Sequence, residues 1–513
     1  MNLKTTTIVD IGTTAQRAPW LFSWPLVVGT LVYLFLLVRG KMLLEDGDTY
    51  LHIAAGHWIL QHRTIPAHDP FSHTMPGIPW TAHEWLSEVI LATVHDMSGW
   101  TGVVAVSALA FSATLALLTR ALLRSLEPIY ALMFAAFAFA LTVNHLLARP
   151  HVLAMPLMII WTFGLVRASE SGRAPRLWLL PVLTLWANLH GGFTLGLALA
   201  CAFALEAVFA ARRTQRFAST TRSWALFITL AIASSLITPH GTQGILFTWQ
   251  MLFGSSYALE FISEWQSPNF QKFQLLEIWL LSGLALVMHK GFKLPPIRLL
   301  LLLGLLHLAL KHGRNAELLG LLAPLFLATP FAAQWRQTQR PQQDMETADR
   351  FFRKLAQPAG RGAILLALGF LVLLSQWIGH ARPLQPPDSA NAALAIRVAQ
   401  EAGIKGPVLN DNRWGGYLIY SGIPPFIDGR SDMYGYDFLK EFVEALLLTK
   451  STGLENLLDK YKIEWTLLPP GSAAVTLLDH LSGWRRLYAD NVAVVHVRTL
   501  IDPDTVSTNA IHP

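Results

Sequence analysis

The chain has 513 residues, of which 53% are hydrophobic and only 14% are charged. Soluble domains carry about 25% charged residues, so this composition excludes an ordinary soluble enzyme and predicts an integral membrane protein. In such a protein the formal charge of +6 mainly reflects topology and does not indicate nucleic-acid binding. The single cysteine, Cys201, excludes an intramolecular disulfide and a cysteine metal cage.

Apolar runs of roughly 20 residues, with Trp and Phe frequent at their ends, predict about eleven membrane spans. No small-residue cleavage site follows the first run, so we interpret it as a retained span. The segment 87–98 is expected to begin at the interface as a helix that leads into the second span. The predicted spans are 20–39, 99–119, 128–147, 152–166, 177–190, 193–211, 223–239, 275–289, 297–311, 315–334 and 362–379.

Lys and Arg are distributed unevenly between alternate loops, with 20 in one set and 7 in the other up to the last span. The positive-inside rule therefore predicts a cytoplasmic N-terminus, with the loop 40–98 and the chain from about 380 outside the cytoplasmic (inner) membrane. Nearly all unusual polar residues at span ends fall on the predicted outer side. This segregation predicts that any chemistry takes place on the outer face.

Two domains are predicted: a multi-span domain over 1–379 and a soluble extracytoplasmic α/β domain over 380–513. A Pro-rich linker at 383–387 separates them. In the second domain we expect helices at 390–402 and 437–448, and strands at 407–409, 417–420, 425–427, 465–468 and, as a pair, near 484–498.

The acidic stretch Glu45-Asp46-Gly47-Asp48 follows directly on the first predicted span. Carboxylates beside a bilayer cost solvation free energy unless water, a cation or a substrate meets them. Gly47 permits a tight turn, after which Asp48 or Thr49 can cap a helix carrying His52. We interpret the stretch as the reactive edge of a site, the alternative being that its carboxylates are helix caps and interface salt bridges.

Further along the loop, 49–62 has the pattern of an interface helix, and Asp69, His83, Glu84 and Glu88 follow it. Glu84 and Glu88 are four residues apart and are expected to share a helix face. A general base needs a carboxylate with a controlled pKa beside an incoming hydroxyl, and a loop folded against the bilayer supplies that setting. Helix capping is again the alternative.

Other predicted outer junctions carry cations, amides and imidazoles. A guanidinium there is suited to bidentate phosphate binding, whereas a snorkelling or topological role is the alternative. The segment around Glu260 and Glu264 is long enough to cover a cavity. The candidate binding residues at these junctions are Arg149, His151, Asn188, His190, Lys311 and Arg314.

A divalent cation is a further candidate, with Asp46, Asp48, His52, His83 and Glu84 as ligands. The spacing of these residues is not specific, and no His-Glu-x-x-His motif occurs. No cofactor is otherwise indicated.

The first span, its acidic outer loop, an interface helix, many further spans and an outer C-terminal domain together resemble the GT-C class of integral membrane glycosyltransferases. Asp46 and Asp48 match the position of the acidic residue that these enzymes use near the end of their first span. The loop from Asp69-Pro70-Phe71-Ser72 to His83-Glu84-Trp85-Leu86 is similar to that of bacterial multi-span proteins in this class. The resemblance covers roughly 1–330 in architecture, and the Trp-Trp-Asp-Tyr-Gly type of acceptor motif is absent.

The resemblance implies inverting transfer of a sugar from a polyprenyl-phosphate donor to a glycan, lipid or protein acceptor. Asp48 or Asp46 would deprotonate the acceptor, and Arg149 and Arg314, with Lys311, would hold the donor phosphate. His83, Glu84 and His190 would shape the acceptor pocket, with His52, Asp69, His151 and Asn188 as further binding candidates. The alternatives are a transporter or flippase of lipid-linked glycans, whose ionisable residues belong at mid-span, and a non-catalytic envelope assembly protein.

Overall fold

A computed structural model describes residues 22–253, 266–335 and 347–499 of the chain. The part up to Ala381 is built from helices. Long runs of Leu, Ala and Phe supply apolar surface, and a helix satisfies the hydrogen bonds of its own backbone in a bilayer. The helices are α1 Trp24–Val38, α2 Gly40–Leu43, α3 Asp48–His62, α4 Trp85–Leu122, α5 Pro128–Thr142, α6 Pro150–Glu170, α7 Leu179–Leu189, α8 Phe193–Ala211, α9 Phe217–Ser235, α10 Thr242–Phe253, α11 Leu275–Lys290, α12 Pro296–Lys311, α13 Ala316–Gln334, α14 Thr347–Lys354 and α15 Arg361–Ala381.

Six helical segments in the described residues are long and apolar enough to cross a bilayer. Each of the eleven predicted spans coincides with a helix, although several of these helices are shorter than a bilayer requires. The chain is a multi-pass membrane protein, and its count of eleven spans stays a prediction. The six segments are Trp85–Leu122, Pro128–His145, Pro150–Glu170, Phe193–Ala211, Gly313–Gln334 and Arg361–Ala381.

Helix α4 is two helices joined at a break. Ser98 and Gly99 have non-helical backbone angles, and the φ of +58° at Gly99 lies in the left-handed region that favours glycine. The part before the break packs against α3, and the part after it packs against α1 and α6. The expected helix at 87–98 therefore exists, and the break allows it to turn away from the span that follows.

Ion pairs between helices gather at the two ends of the bundle. Arg298 pairs with Glu170 and Glu206 at one end, whereas Arg149 pairs with Asp46 and Asp48 at the other. These two sets of residues belong to the two opposite sets of loops that the sequence predicts. We call the end that carries Asp46 the acidic end.

The C-terminal domain is an α/β unit built on a four-stranded sheet. The strands are β1 Val408–Asn410, β2 Trp465–Leu468, β3 Trp484–Ala489 and β4 Val494–Arg498, in the order β1-β2-β4-β3. β1 and β2 are parallel, and the other two pairings are antiparallel. Its helices are α16 Asp388–Asn391, α17 Ala393–Glu401, α18 Gly415–Tyr420, α19 Ser431–Tyr434, α20 Tyr436–Leu446, α21 Gly453–Lys460 and α22 Ala473–Leu478.

Two strands predicted for this domain are wrong. Tyr417–Tyr420 lies in helix α18, whose first residue, Gly415, packs against the backbone of Ile427 and whose second, Gly416, packs against the backbone of Gly47. The segment 425–427 is buried but is not a strand, because the side-chain amide of Asn410 takes the place of a sheet neighbour. Its Oδ1 accepts from the amide of Phe426 at 2.8 Å, and its Nδ2 donates to the carbonyl of Ile427 at 2.8 Å.

Candidate active site

The backbone of Ala148 ties two distant parts of the chain together at the acidic end. Its amide donates to the carbonyl of Leu43 at 2.8 Å, and its carbonyl accepts from the hydroxyl of Thr49 at 3.3 Å. Arg149 follows in an extended conformation, which the proline after it favours, and α6 begins at Pro150. These bonds place the Arg149 side chain beside the acidic stretch from a position 103 residues along the chain from Asp46.

The carboxylate–arginine cluster consists of Asp46, Asp48 and Arg149. Arg149 Nε donates to Asp46, and its Nη2 lies 3.1 Å from Asp48 Oδ2. Burial alone would raise the pKa of Asp46, but the charge of Arg149 and the hydrogen bonds from Arg149 and the Asp48 amide outweigh it, so that the pKa lies below its usual value. Asp46 is therefore held as a carboxylate.

Neither predicted cap forms at the start of α3. The N-cap is Gly47, without a side-chain hydrogen bond, and Asp48 is the first helical residue. The hydroxyl of Thr49 donates to Ala148 instead. The side chain of Asp48 remains 23% exposed, against 14% for Asp46, so Asp48 is the more accessible carboxylate of the pair.

The histidine cluster surrounds Glu84 at the start of α4. Its members are Glu84 with His52, His83 and His190, whose ring nitrogens lie 4.0, 3.7 and 3.3 Å from the carboxylate. His52 Nδ1 also lies 3.5 Å from Glu88 Oε1, so Glu84 and Glu88 do share one face, as their spacing predicts.

The charge states of the histidine cluster follow from burial and its partners. Burial lowers the pKa of His52, but the hydrogen bond to Glu88 and the charges of Glu84 and Glu88 raise it above its usual value. Burial raises the pKa of Glu84, yet the neighbouring imidazoles bring it below its usual value. His52 thus favours its charged form beside an ionised Glu84.

His190 has the opposite behaviour because burial dominates and lowers its pKa to about 4. The amide of Gly192 donates to Nδ1 of His190 at 3.0 Å. An amide can only donate, so the proton of the neutral ring lies on Nε2, which faces Glu84 Oε1 at 3.3 Å. His190 is therefore a neutral donor at the acidic end.

Arg314 and His151 lie near this cluster, whereas Lys311 does not contact it. The charge of Arg314 acts on both His151 and His190. His151 Nε2 lies 3.8 Å from Glu317, and its ring centroid is 6.1 Å from that of His190. The side chain of Lys311 is exposed at the end of α12.

Two predicted binding residues have packing roles in the structure. Asn188 accepts from Trp85 Nε1 at 3.0 Å and donates to two backbone carbonyls, which joins α7 to α4 and α9. Asp69 is buried and accepts from two backbone amides and Ser72, and it pairs with Arg430 Nη1 at 2.6 Å. Substrate contact by either side chain stays a prediction that this geometry does not favour.

The C-terminal domain closes one side of the carboxylate–arginine cluster. A Cβ on Gly47 would collide with the carbonyl of Arg413, and a Cβ on Gly416 would collide with the carbonyl of Gly47. A Cβ on Gly429 would collide with the carboxylate of Asp48. Glycine is required at Gly47 and Gly416 because backbone meets backbone there, whereas Gly429 leaves room for the Asp48 side chain.

Arg430 locks this domain onto the loop between α3 and α4. It forms a bidentate pair with Asp428 at 2.8 and 2.6 Å while its third nitrogen holds Asp69. Its guanidinium lies over the Trp80 ring at 4.7 Å. The side chains that Arg430 meets could not be inferred from the sequence, because Asp69 lies 361 residues away.

Asp432 was not among the predicted site residues. It is an exposed residue of α19, close enough to His83 for their charges to interact. Met433 beside it packs against the cluster of Ala55, Trp80 and Ala82. The C-terminal domain thus brings one carboxylate near the histidine cluster.

A divalent cation does not fit the predicted ligands well. No three of Asp46, Asp48, His83 and Glu84 bring their ligand atoms within 4.8 Å of one another. Both aspartates instead meet the positive charge of Arg149, which opposes a cation between them. The predicted cover around Glu260 and Glu264 lies outside the described residues.

No protein-family model matches the chain, and no curated protein matches its sequence. The apo oligosaccharyltransferase from Archaeoglobus fulgidus gives a TM-score of 0.56 at 10% identity, over 86% of this chain and 69% of that one. The same organism's AglB, in complex with an inhibitory peptide and a dolichol-phosphate, gives 0.53 at 9% identity over 87% and 69%. ArnT from Cupriavidus metallidurans bound to undecaprenyl phosphate gives 0.47 at 13% identity over 92% and 97%.

The two archaeal comparisons establish the fold. The chain has the architecture of the GT-C class of integral membrane glycosyltransferases, with a small C-terminal sheet domain. The resemblance carried by Asp46, Asp48 and the loop 69–86 is confirmed at the level of fold, as is the predicted fold class.

Proposed function

We propose that this protein transfers a sugar from a polyprenyl-phosphate donor to an acceptor at the outer face of the cytoplasmic membrane. The single observation that carries the proposal is the carboxylate–arginine cluster at the acidic end of a GT-C fold. The archaeal structure of this fold that holds a dolichol-phosphate supports a polyprenyl phosphate as the donor class. The sugar and the acceptor stay open.

Asp48 is the proposed general base because it is the more exposed aspartate and Arg149 Nε holds Asp46 directly. Asp48 takes the proton of the acceptor hydroxyl, and the oxygen forms a bond to the anomeric carbon of the sugar. The bond from that carbon to the phosphate oxygen breaks, and the electron pair leaves with the polyprenyl phosphate. Attack from the face opposite the phosphate inverts the anomeric configuration.

Cations near the cluster suit the leaving phosphate. Arg149 and Arg314 are guanidinium groups, which keep their charge and stabilise the negative charge that develops on the phosphate. His83, Glu84 and His190 are proposed to bind the acceptor, with neutral His190 as a donor. Asp432, which lies near His83, is proposed to bind a second acceptor hydroxyl.

The test uses the purified full-length protein in lipid nanodiscs, with radiolabelled decaprenyl-phosphate hexoses as donors and membranes from the producing cells as the source of acceptor. It measures the release of decaprenyl phosphate. Asp48→Asn should lower the rate about 10²–10⁴-fold, the range of a lost general base. Glu45→Gln is the matched control, since Glu45 is exposed in the same loop, and it should keep the rate. Equal rates in both variants would refute the assignment of Asp48.

The same preparation separates the enzyme from its alternatives. A flippase would move a fluorescent lipid-linked sugar across proteoliposomes without forming a covalent product. An envelope assembly protein would do neither. The ion pairs between helices lie at the ends of the bundle rather than at mid-span, which favours the enzyme.

A further inference from the structure

A second group of polar side chains lies on α3 and on the first part of α4. Its members are His57, His95 and Asp96, each of which brings one ligand atom within 4.8 Å of the others. His57 Nε2 lies 2.8 Å from Asp96 Oδ1, a direct hydrogen bond, and a small separation of the two atoms to about 3.3 Å would give the spacing of two ligands on one tetrahedral zinc ion. The proposed reaction uses none of these residues.

The helix contact that presents these residues is close and fixed. A Cβ on Gly56 would collide with the carbonyl of Glu88, so α3 and α4 meet there at backbone distance. His57 follows Gly56 directly, and His95 and Asp96 lie before the break at Ser98 and Gly99. Ligands carried on two packed helices hold their relative positions better than ligands on loops.

His95 provides an independent observation. Its Nδ1 is buried and has no hydrogen-bond partner within the described ranges 22–253, 266–335 and 347–499. Buried polar atoms without partners are uncommon in native proteins, and a bound ion is one recognised reason for them. The Asp96 side chain, in contrast, is 59% exposed, which leaves an open side where a cation can enter and water can complete its coordination.

We propose that His57, His95 and Asp96 bind one divalent transition-metal ion of the Zn²⁺ type. Two imidazoles and one carboxylate suit Zn²⁺ or Co²⁺, whereas Mg²⁺ and Ca²⁺ prefer oxygen ligands. The ion joins α3 to α4 on one side of the break. It also supports the C-terminal domain, because the ring centroid of Tyr420 lies 5.8 Å from that of His95.

The experiment uses the full-length protein in nanodiscs, stripped with EDTA and dialysed. We expect titration calorimetry to show one Zn²⁺ bound per chain. Co²⁺ should give the visible absorption of a tetrahedral site, and Zn²⁺ should raise the melting temperature. His57→Ala and His95→Ala should abolish all three responses, and Asp96→Asn should weaken Zn²⁺ binding at least tenfold.

The controls decide between this site and other histidines. His62→Ala changes an exposed histidine on the same helix, and His380→Ala changes an exposed histidine on α15, so both should bind Zn²⁺ like the unmodified protein. Asp96 is exposed, so its variant should fold even if a histidine variant does not. Absence of binding by the unmodified protein, or unchanged binding by Asp96→Asn, overturns the proposal, as does loss of binding only in Glu84→Gln.

Discussion

The two ends of the helical bundle hold their buried charges in different ways. At the end opposite the acidic end, Arg298 is 3% exposed and donates to both oxygens of Glu206, to Glu170 and to a backbone carbonyl. At the acidic end, the side chains of Asp48 and His190 stay 23% and 28% exposed, and Glu88 Oε2 is buried without a partner in the described residues.

This difference distinguishes a structural ion network from a candidate site. In the Arg298 network the buried guanidinium is satisfied by its two carboxylate partners and a backbone carbonyl, although Glu170 is itself 28% exposed. The acidic end combines carboxylates, imidazoles and a guanidinium with open surface, so a substrate can replace water there. Burial, charge and exposure alone would not separate the two ends. The gathering of imidazoles around carboxylates and the unsatisfied oxygen of Glu88 distinguish the acidic end.

The largest effect on stability is expected from Arg298→Met. The change leaves Glu170 and Glu206 without their cation, and breaking a buried pair from one side costs about 3–5 kcal/mol. The melting temperature in detergent should fall strongly, while the transfer rate per folded molecule should not change. Arg353→Met is the matched control, because Arg353 pairs with Glu127 at an exposed position. If Arg298→Met kept the normal melting temperature but lost transfer activity, the Arg298 network would be the functional site and not the structural one.

A smaller effect is expected from Asp69→Asn, which removes the charge that Arg430 meets on the loop between α3 and α4. The Asp428–Arg430 pair within the C-terminal domain remains. A hydrogen bond to a charged group contributes about 1.5–3 kcal/mol, so we expect faster hydrogen exchange in α3 and α18, where the domain meets the bundle. Asp411→Asn, at a pair whose Arg413 is exposed, should leave exchange unchanged. Equal exchange in both variants would show that Asp69 does not lock the domain.

The smallest effect concerns pH. The pKa of His190 is about 4, below the ordinary 6.5, so between these values the unfolded chain holds a proton that the folded chain lacks. Stability should therefore fall as the pH drops from 6.5 toward 4. The slope of melting temperature against pH should be shallower in His190→Gln and unchanged in His62→Gln, since His62 is exposed. An unchanged slope in His190→Gln would contradict the buried, neutral state of this ring.

Much of the fold could be predicted from the sequence, because a bilayer imposes a simple length and polarity on every span. The predicted spans coincide with helices for this reason, and α3 and the helix before Ser98 were also predicted. The strand predictions at 417–420 and 425–427 were wrong because tertiary contacts decide the structure there. These contacts are the close packing of a glycine and the hydrogen bonds of a side-chain amide, which short apolar runs do not reveal.

The candidate site was predicted in part. That Asp46, Asp48 and Arg149 share one end followed from the loop count, whereas their direct pairing depends on backbone bonds of Ala148. The role of Arg430 and the position of Asp432 required the docked C-terminal domain, which no local pattern predicts. Asn188 and Asp69 were predicted as binding residues, but in the structure they hold neighbouring segments together. Polar residues beside glycine or proline turns can have such a packing role.

The close contacts at Gly47, Gly416 and Gly429 affect whether the donor is hydrolysed. An activated sugar phosphate can pass its sugar to water as well as to the intended hydroxyl. Because backbone atoms and the Asp48 carboxylate itself fill the space between the C-terminal domain and the acidic stretch, little room remains for water on that side of Asp48. In the proposed reaction, Gly429→Ala should therefore increase hydrolysis of the donor rather than only lower the rate of transfer.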